Sequence, residues 1–126
     1  MMAADVASAV LGIELVSLAP GQAVCKMAVT ERMINGHALC HGGYVFLLAD
    51  TTFACACNTH GPVTVAAGAE ISFVSAARAG ETLTATALER TLFGRNGIYD
   101  ITVRGEDGRV VAEFRGRSRA LKEEGS

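Results

Sequence analysis

Gly42-Gly43-Tyr44-Val45-Phe46-Leu47-Leu48-Ala49-Asp50-Thr51-Thr52-Phe53-Ala54-Cys55-Ala56-Cys57-Asn58 contains a single charged residue, Asp50. A segment apolar nearly all round reads as a helix buried on most of its faces. Its apolar run, Tyr44 to Cys57, is 14 residues long with Asp50 inside it, short of the ~20 needed to span a bilayer. It is therefore expected to be a core helix, closed by Gly61-Pro62.

Working outward from that helix, Glu31 to Cys40 is polar, loses periodicity and carries Asn35, Gly36 and His37, which describes a loop of functional length. Ile13 to Leu18 and Ala23 to Thr30 are β-leaning runs around the Pro-Gly turn signal Ala19-Pro20-Gly21-Gln22, so they predict a hairpin. Met1 to Leu11 reads as a short helix; it lacks the Lys or Arg of a signal peptide, and a cytoplasmic protein is expected. Downstream, Val63 to Val74 reads as a strand. Glu81 to Thr91 alternates Thr82, Thr84 and Thr86 against Leu83, Ala85 and Ala87 with a period of two. Ile98 to Arg104 and Arg109 to Leu121 flank Gly105-Glu106-Asp107-Gly108, a second hairpin. A lone helix of this kind is best covered by a sheet that curls around it, an α+β wrap.

Length and composition narrow the function. At 126 residues and 13.1 kDa the chain is expected to be a single domain over 1–126, with no room for a cofactor domain. Half of it is hydrophobic, 19% is charged and the mean hydropathy is +0.32, enough for a sizeable core. A formal net charge of −2 supplies no global field to hold nucleic acid or an anionic membrane. The G-x-S-x-G, G-x-x-x-x-G-K-[ST] and G-x-G-x-x-G patterns are all missing, which removes the main support for serine-hydrolase, P-loop and dinucleotide readings. The four cysteines, at 25, 40, 55 and 57, read as reduced thiols in a chain too apolar to need disulfide staples.

The residues able to do chemistry gather where the loop meets the helix: Asn35, His37, Cys40, His41, Gly42 and Gly43, with Asp50 farther along. His41-Gly42-Gly43 at a helix start offers free backbone N–H groups at the positive end of the helix dipole, as an oxyanion hole requires. The bland alternative is a tight turn with His41 bonded to nearby backbone. Asp50 sits among Leu47, Leu48, Ala49 and Phe53, and a carboxylate in such surroundings needs a donor or a task. Desolvation would raise its pKa, as suits a general base or a nucleophile. Its alternative is a solvated stripe with Thr51 and Thr52. Seven residues of helix are ~10 Å of rise, so Asp50 cannot reach a carbonyl held at its own helix N-terminus and would act in trans, in at least a homodimer.

A metal centre is not expected. His37, Cys40 and His41 precede the helix while Cys55, Cys57 and His60 lie near its end, and ~20 Å of helix separates Cys40 from Cys55. On the last strand Arg115, Arg117 and Arg119 recur at period two, with Phe114, Gly116, Ser118 and Ala120 facing the other way. Those guanidinium groups, and Arg95 in the Arg95-Asn96-Gly97 turn, suit phosphate binding as well as they suit an ordinary solvated face.

The run Met33-Ile34-Asn35-Gly36-His37-Ala38-Leu39-Cys40-His41-Gly42-Gly43-Tyr44-Val45-Phe46-Leu47-Leu48-Ala49-Asp50 resembles the loop and central helix of hotdog-fold acyl-CoA thioesterases, specifically the phenylacetic acid degradation subfamily. The resemblance continues through Cys57-Asn58, Thr64 to Ala69, Gly94 to Asp100 and Phe114 to Ser118; it departs at Val74-Ser75-Ala76-Ala77, where relatives often place a proline. It implies a hotdog fold and hydrolysis of aryl or arylacetyl (phenylacetyl or hydroxyphenylacetyl) coenzyme A thioesters, with no cofactor beyond the CoA of the substrate. Asp50 would be the catalytic carboxylate, Gly42 the backbone donor to the thioester carbonyl, and Asn35 and His41 the groups that orient carbonyl and water, with Gly43 beside them. It further implies a homotetramer with active sites shared between subunits. Two rivals stand beside this expectation. A non-catalytic acyl-CoA binding module would gain from an apolar residue in place of Asp50, and a hotdog dehydratase or hydratase would suggest a His-Phe-Pro motif, absent here.

Overall fold

The computed structural model describes residues 5–122. Six antiparallel strands and two helices follow in the order α1 (Val6–Val10), β1 (Glu14–Ala19), β2 (Gln22–Ala28), α2 (Gly42–Cys57), β3 (Thr64–Phe73), β4 (Thr82–Phe93), β5 (Asn96–Arg104) and β6 (Val110–Ala120). A 3-10 turn, Glu31–Met33, lies in the loop before α2. The strands form one sheet in the order β1-β2-β4-β5-β6-β3, so β1 and β3 are its edges. Bulges between Leu15 and Ser17, Ala66 and Gly68, Glu89 and Thr91, and Val103 and Arg104 bend the sheet around α2, which touches every strand. This is the hotdog arrangement, α+β as expected. The period-two reading of β4 holds, with Leu83, Ala85 and Ala87 fully buried. The strands differ from their expected bounds by a few residues. The leading helix covers only Val6–Val10, and its expected first residues lie outside the described ones.

The core depends on a close approach between helix and sheet. Phe53 of α2 is 1% exposed, with its ring centroid 5.6 Å from that of Tyr99 and 5.8 Å from that of Phe114. Beneath it lies Gly116 of β6, where an added Cβ would stand 2.6 Å from a ring carbon of Phe53. The absent side chain at 116 is what lets the ring seat on the strand.

As expected, α2 is buried on most of its faces; one stripe, Gly43, Phe46, Leu47, Asp50 and Ala54, is exposed or half-buried. A single curled sheet covers only part of a helix's circumference. α1 covers a little more through Ser8, whose Oγ lies 2.8 Å from Thr51 Oγ1.

At its C-terminus α2 is closed by Asn58. The Asn58 Nδ2 donates to the carbonyls of Ala54 (2.8 Å) and Thr64 (3.0 Å), and its Oδ1 accepts from Thr64 N–H at 2.9 Å. The same side chain thus stops the helix and starts β3.

Gly116→Ala should lower the unfolding free energy by about 1–3 kcal/mol, since Phe53 is held by two other rings and cannot move aside. Chemical denaturation at unchanged m would measure the loss; a midpoint equal to wild type would mean that the ring has room.

Candidate active site

Asp50 stands on the uncovered stripe of α2, half-buried, with Phe46 and Leu47 one turn before it and Ala54 one turn after. The threonines that follow do not share its surroundings. Thr51 and Thr52 are 3% and 0% exposed, Thr51 bonded to Ser8 and Thr52 Oγ1 donating to the Leu48 carbonyl at 2.7 Å. No solvated stripe of Asp50, Thr51 and Thr52 exists, so the bland reading of the aspartate falls. Among the described residues no side chain pairs with its carboxylate. Burial pushes the Asp50 carboxyl above its ordinary value, and the charge of Asp5 pushes in the same direction. Asp5 itself caps α1, accepting from Ser8 N–H at 3.0 Å and Ser8 Oγ at 2.6 Å, and these bonds hold its own pKa down.

The other half of the expected site is built by the loop 31–41. Asn35 Oδ1 accepts from the N–H groups of His37 (2.8 Å) and Leu39 (3.3 Å), and Asn35 N–H donates to the Leu39 carbonyl at 2.7 Å. The loop is therefore closed by Asn35, with Ala38 at φ 61° in its tip. It is moored by Cys40 N–H to the Ala77 carbonyl and His41 N–H to the Met33 carbonyl, each 2.7 Å. His41 is the N-cap of α2: its Nδ1 accepts from Gly43 N–H at 3.4 Å and its carbonyl from Tyr44 N–H at 3.0 Å. The Gly42 N–H is the first of the helix, without an intrahelical acceptor, and neither capping bond uses it. It is the donor of this turn left for a ligand, whereas that of Gly43 is taken.

Phe73 was not among the residues expected here. Its ring crosses Gly42, with ring carbons 3.0 and 3.1 Å from where a Cβ would stand. Nothing in the local sequence pattern marks it, because the contact joins the end of β3 to the start of α2.

The two halves lie apart. Gly42 opens on a cavity of about 370 Å³ bounded by Cys40, Val45, Phe73, Val74 and Ser75. Asp50 opens on another of about 510 Å³, bounded by Phe53, Ala54, Cys57, Asn58 and the stretch Val63 to Ala66. They share no lining residue, as expected from the helix rise between them.

The arginines occupy the outer face of the sheet, away from α2, and are not equivalent. Arg115 is held by Asp100 through Nε–Oδ1 (2.7 Å) and Nη2–Oδ2 (2.8 Å), a bidentate pair that raises the arginine's pKa and lowers the aspartate's. Arg117 lies across Gly68, and Arg119 is paired in register with Val65 and Asn96. Neither has a carboxylate partner among the described residues. Arg95 forms the exposed turn between β4 and β5, where its carbonyl accepts from Ala120 N–H at 2.7 Å. All four cysteines are buried free thiols, and among the described residues no group of three His, Cys, Asp or Glu could hold a metal ion.

The sequence profile of the "Thioesterase superfamily" matches residues 37–112, from the loop through the uncovered helix to β6. The chain belongs to the thioesterase superfamily. It is 45% identical over 117 residues to the acyl-coenzyme A thioesterase PaaI of Escherichia coli K12, covering 93% of this chain and 84% of that one. The structure of the E. coli PaaI protein from the phenylacetic acid degradation operon superimposes with a TM-score of 0.95 at 44% identity, covering 97% of this chain and 88% of that one. A mutant of the phenylacetic acid degradation protein PaaI from Thermus thermophilus gives 0.89 at 36% identity, with 93% and 100% covered. As a member of this superfamily the protein is a thioester hydrolase, an enzyme rather than a binding module. None of its described helices is long and apolar enough to cross a membrane.

The raised pKa of Asp50 carries two consequences. The fold favours the neutral acid, so this group's contribution to stability is present below its unfolded pKa of ~3.9 and is lost as pH rises through the folded value. Asp50→Asn, neutral throughout, should therefore melt higher than wild type at pH 7, and the gap should close as the pH approaches ~4. For catalysis by the carboxylate, the acid limb of kcat/KM should have its midpoint above the ordinary carboxylate range. A Tm ordering independent of pH, or a rate flat down to pH ~4, would contradict the desolvated aspartate.

Proposed function

We propose that the protein hydrolyses aryl or arylacetyl coenzyme A thioesters, phenylacetyl or hydroxyphenylacetyl groups among them, to free acid and CoA. The observation that carries this reading is the half-buried Asp50 carboxylate, unpaired among the described residues and facing a cavity of about 510 Å³ with an apolar floor. Asp50 takes a proton from water as the water oxygen bonds to the thioester carbon. The carbonyl oxygen gathers negative charge at the Gly42 N–H, and the carbon–sulfur bond then breaks with the proton passing to the leaving thiolate. Asn35 and His41, which shape the turn that presents Gly42, orient the carbonyl and the water. No cofactor enters these steps; CoA is part of the substrate.

Because Gly42 and Asp50 line different cavities, the site is completed by a second copy. The open edge of β3, continuous with the wall of the Asp50 cavity, offers unpaired backbone groups to the same strand of a partner. Antiparallel pairing there would run two α2 helices in opposite directions, with the uncovered stripe of each against the other and Gly42 of one opposite Asp50 of the other. Two such dimers would give the tetramer implied by the family resemblance, and the cytoplasm fits a substrate of this kind.

The shared site is tested by mixing two inactive variants, Asp50→Asn and Gly42→Pro. Proline at the first helical position deletes the donor N–H and is compatible with the helix start, while its Cβ presses on the Phe73 ring, so circular dichroism of Gly42→Pro must match wild type for the mixture to be read. His41, at ψ 134°, already has the extended backbone that a following proline requires. Each variant alone should lose about 10²–10⁴ in kcat. Random mixing should restore roughly a quarter of wild-type activity, since half the dimers are mixed and half their sites intact. A mixture as inactive as its parents, with mixed dimers present in a tagged pull-down, would overturn the shared site.

We assign the phosphates of CoA to the arginine face, where Arg117 and Arg119 have no carboxylate partner among the described residues and Arg115 and Arg95 lie on either side. Arg117→Ala and Arg119→Ala should raise KM several-fold for the CoA ester and leave a pantetheine thioester unchanged. Equal effects on both substrates would return these residues to a solvated face.

A further inference from the structure

Both ends of the loop that presents Gly42 are tied to one short stretch, residues 76–81, between β3 and β4. At the loop's start Val29 N–H donates to the Glu81 carbonyl at 2.8 Å, and the Val29 carbonyl accepts from Gly80 N–H at 2.9 Å. At its end Cys40 N–H donates to the Ala77 carbonyl at 2.7 Å. Ala76 and Ala77 also wall the cavity onto which Gly42 opens. The placement of this stretch therefore sets the aim of the Gly42 N–H.

The stretch has little of its own to hold it. It contains no proline, belongs to no helix or strand, and leaves Ala76, Arg78, Ala79 and Gly80 exposed. What fixes it is an ion pair brought from the β5–β6 hairpin. Arg109 Nη1 donates to Glu81 Oε1 and Arg109 Nη2 to Glu81 Oε2, the latter at 2.9 Å, and Nη2 donates as well to the Ala76 carbonyl. One guanidinium group thus bridges the first residue of the stretch to the last. Asp107 Oδ1 accepts from Nη1 at 2.8 Å, and the Glu81 carboxylate accepts from the N–H groups of Arg78 and Glu106, each at 3.2 Å. The pair is closely seated: the Glu81 side chain is 13% exposed, and a Cβ at Gly105 would collide with Glu81 Oε1 and Arg109 Nη1. Arg109 holds the Glu81 carboxyl below the ordinary carboxylate range, so the bridge is charged at neutral pH.

We infer that Arg109 and Glu81 are positioning residues for the carbonyl-binding half of the site: their bridge holds residues 76–81, that stretch holds both ends of the loop, and the loop aims the Gly42 N–H. Neither residue lines the Gly42 cavity or the Asp50 cavity, so both act through the backbone between. A reacting group misplaced by about 1 Å loses about 10²-fold in rate, so loss of the bridge falls on kcat. This rests on the thioester hydrolysis proposed above, with Gly42 as donor, and adds what keeps that donor in place.

The test follows thiol release from phenylacetyl-CoA. Arg109→Ala should lower kcat about 10–100-fold while KM stays within about twofold of wild type. Arg109→Lys keeps a charge beside Glu81 but has no planar fork to span to Ala76, and it should be impaired in the same direction. Arg104→Ala removes another side-chain bond of the same hairpin, Nη1 to the Gly108 carbonyl at 2.8 Å, and should leave kcat unchanged. Subunit mixing separates positioning from general damage. The Arg109 lesion spares Asp50 of its own chain, so Arg109→Ala mixed with Asp50→Asn should recover roughly a quarter of wild-type activity. Mixed with Gly42→Pro, it should show no more than its own residual rate. If Arg109→Ala does not fold, Arg109→Lys is read in the same two mixtures, with the same pattern expected. Recovery in neither mixture, as from a lesion that spoils the whole protomer, or wild-type kcat in either Arg109 variant, would overturn the assignment. A wild type inactive on phenylacetyl-CoA, or an Asp50→Asn and Gly42→Pro pair that fails to recover, would strike the underlying reaction or the shared site instead, and the positioning role with it.

Discussion

The seating of Phe53 on Gly116 is the contact on which the rest of the molecule depends. A ring can lie against a strand backbone only where the strand has no side chain, and Gly116 supplies that place at the centre of β6. Tyr99 and Phe114 then hold the ring from two sides, so the rotation of α2 about its axis is set by an aromatic cluster rather than by general apolar burial. Once Phe53 faces the sheet, helical geometry leaves Phe46, Asp50 and Ala54 on the stripe that the sheet does not reach. The position of the carboxylate is thus a consequence of packing elsewhere on the same helix.

That arrangement sets stability against activity. An ionised carboxyl half-buried among Phe46, Leu47 and Ala54 is held in a place that favours its neutral form, and Asp5 nearby adds to the penalty. A protein with only a fold to maintain would gain from a neutral residue at 50. The stripe is also incomplete as a surface: Phe46 meets Phe114 edge-on, with ring centroids 5.3 Å apart, yet stays 37% exposed, and Leu47 and Ala54 are only half-buried. The same face therefore has two unmet needs, cover for its apolar groups and a carbonyl-binding partner for its acid.

Much of this was legible in the amino-acid order, for physical reasons that differ by element. The period-two threonines of β4 and the turn residues at 20–21 and 105–108 are local signals, and local signals survive folding. Asp50 was legible because a charge within an apolar helix is conspicuous at any register. The separation of Gly42 from Asp50 followed from helix rise alone. The open stripe was not legible: apolar residues on every face look the same whether a sheet, a second copy or a ligand covers them. Phe73 over Gly42 and the pairing of Asp100 with Arg115 were hidden for a related reason, since both contacts join elements far apart in the chain. Evenly spaced arginines gave no sign that only one of them is held by a carboxylate.

The side chain of Asn58 makes the start of β3 and the end of α2 a single joint. An edge strand bonded on one side is the element most free to slide along its neighbour, and a slide of one residue would turn Val65 and Glu70 inward and Ile71 outward. By grasping the N–H and carbonyl of Thr64 in the manner of a neighbouring strand, the Asn58 amide fixes the first rung of that ladder. Loss of this joint would therefore first appear as faulty assembly, with chains pairing out of step along the exposed edge, while the helix and the remaining strands kept their order.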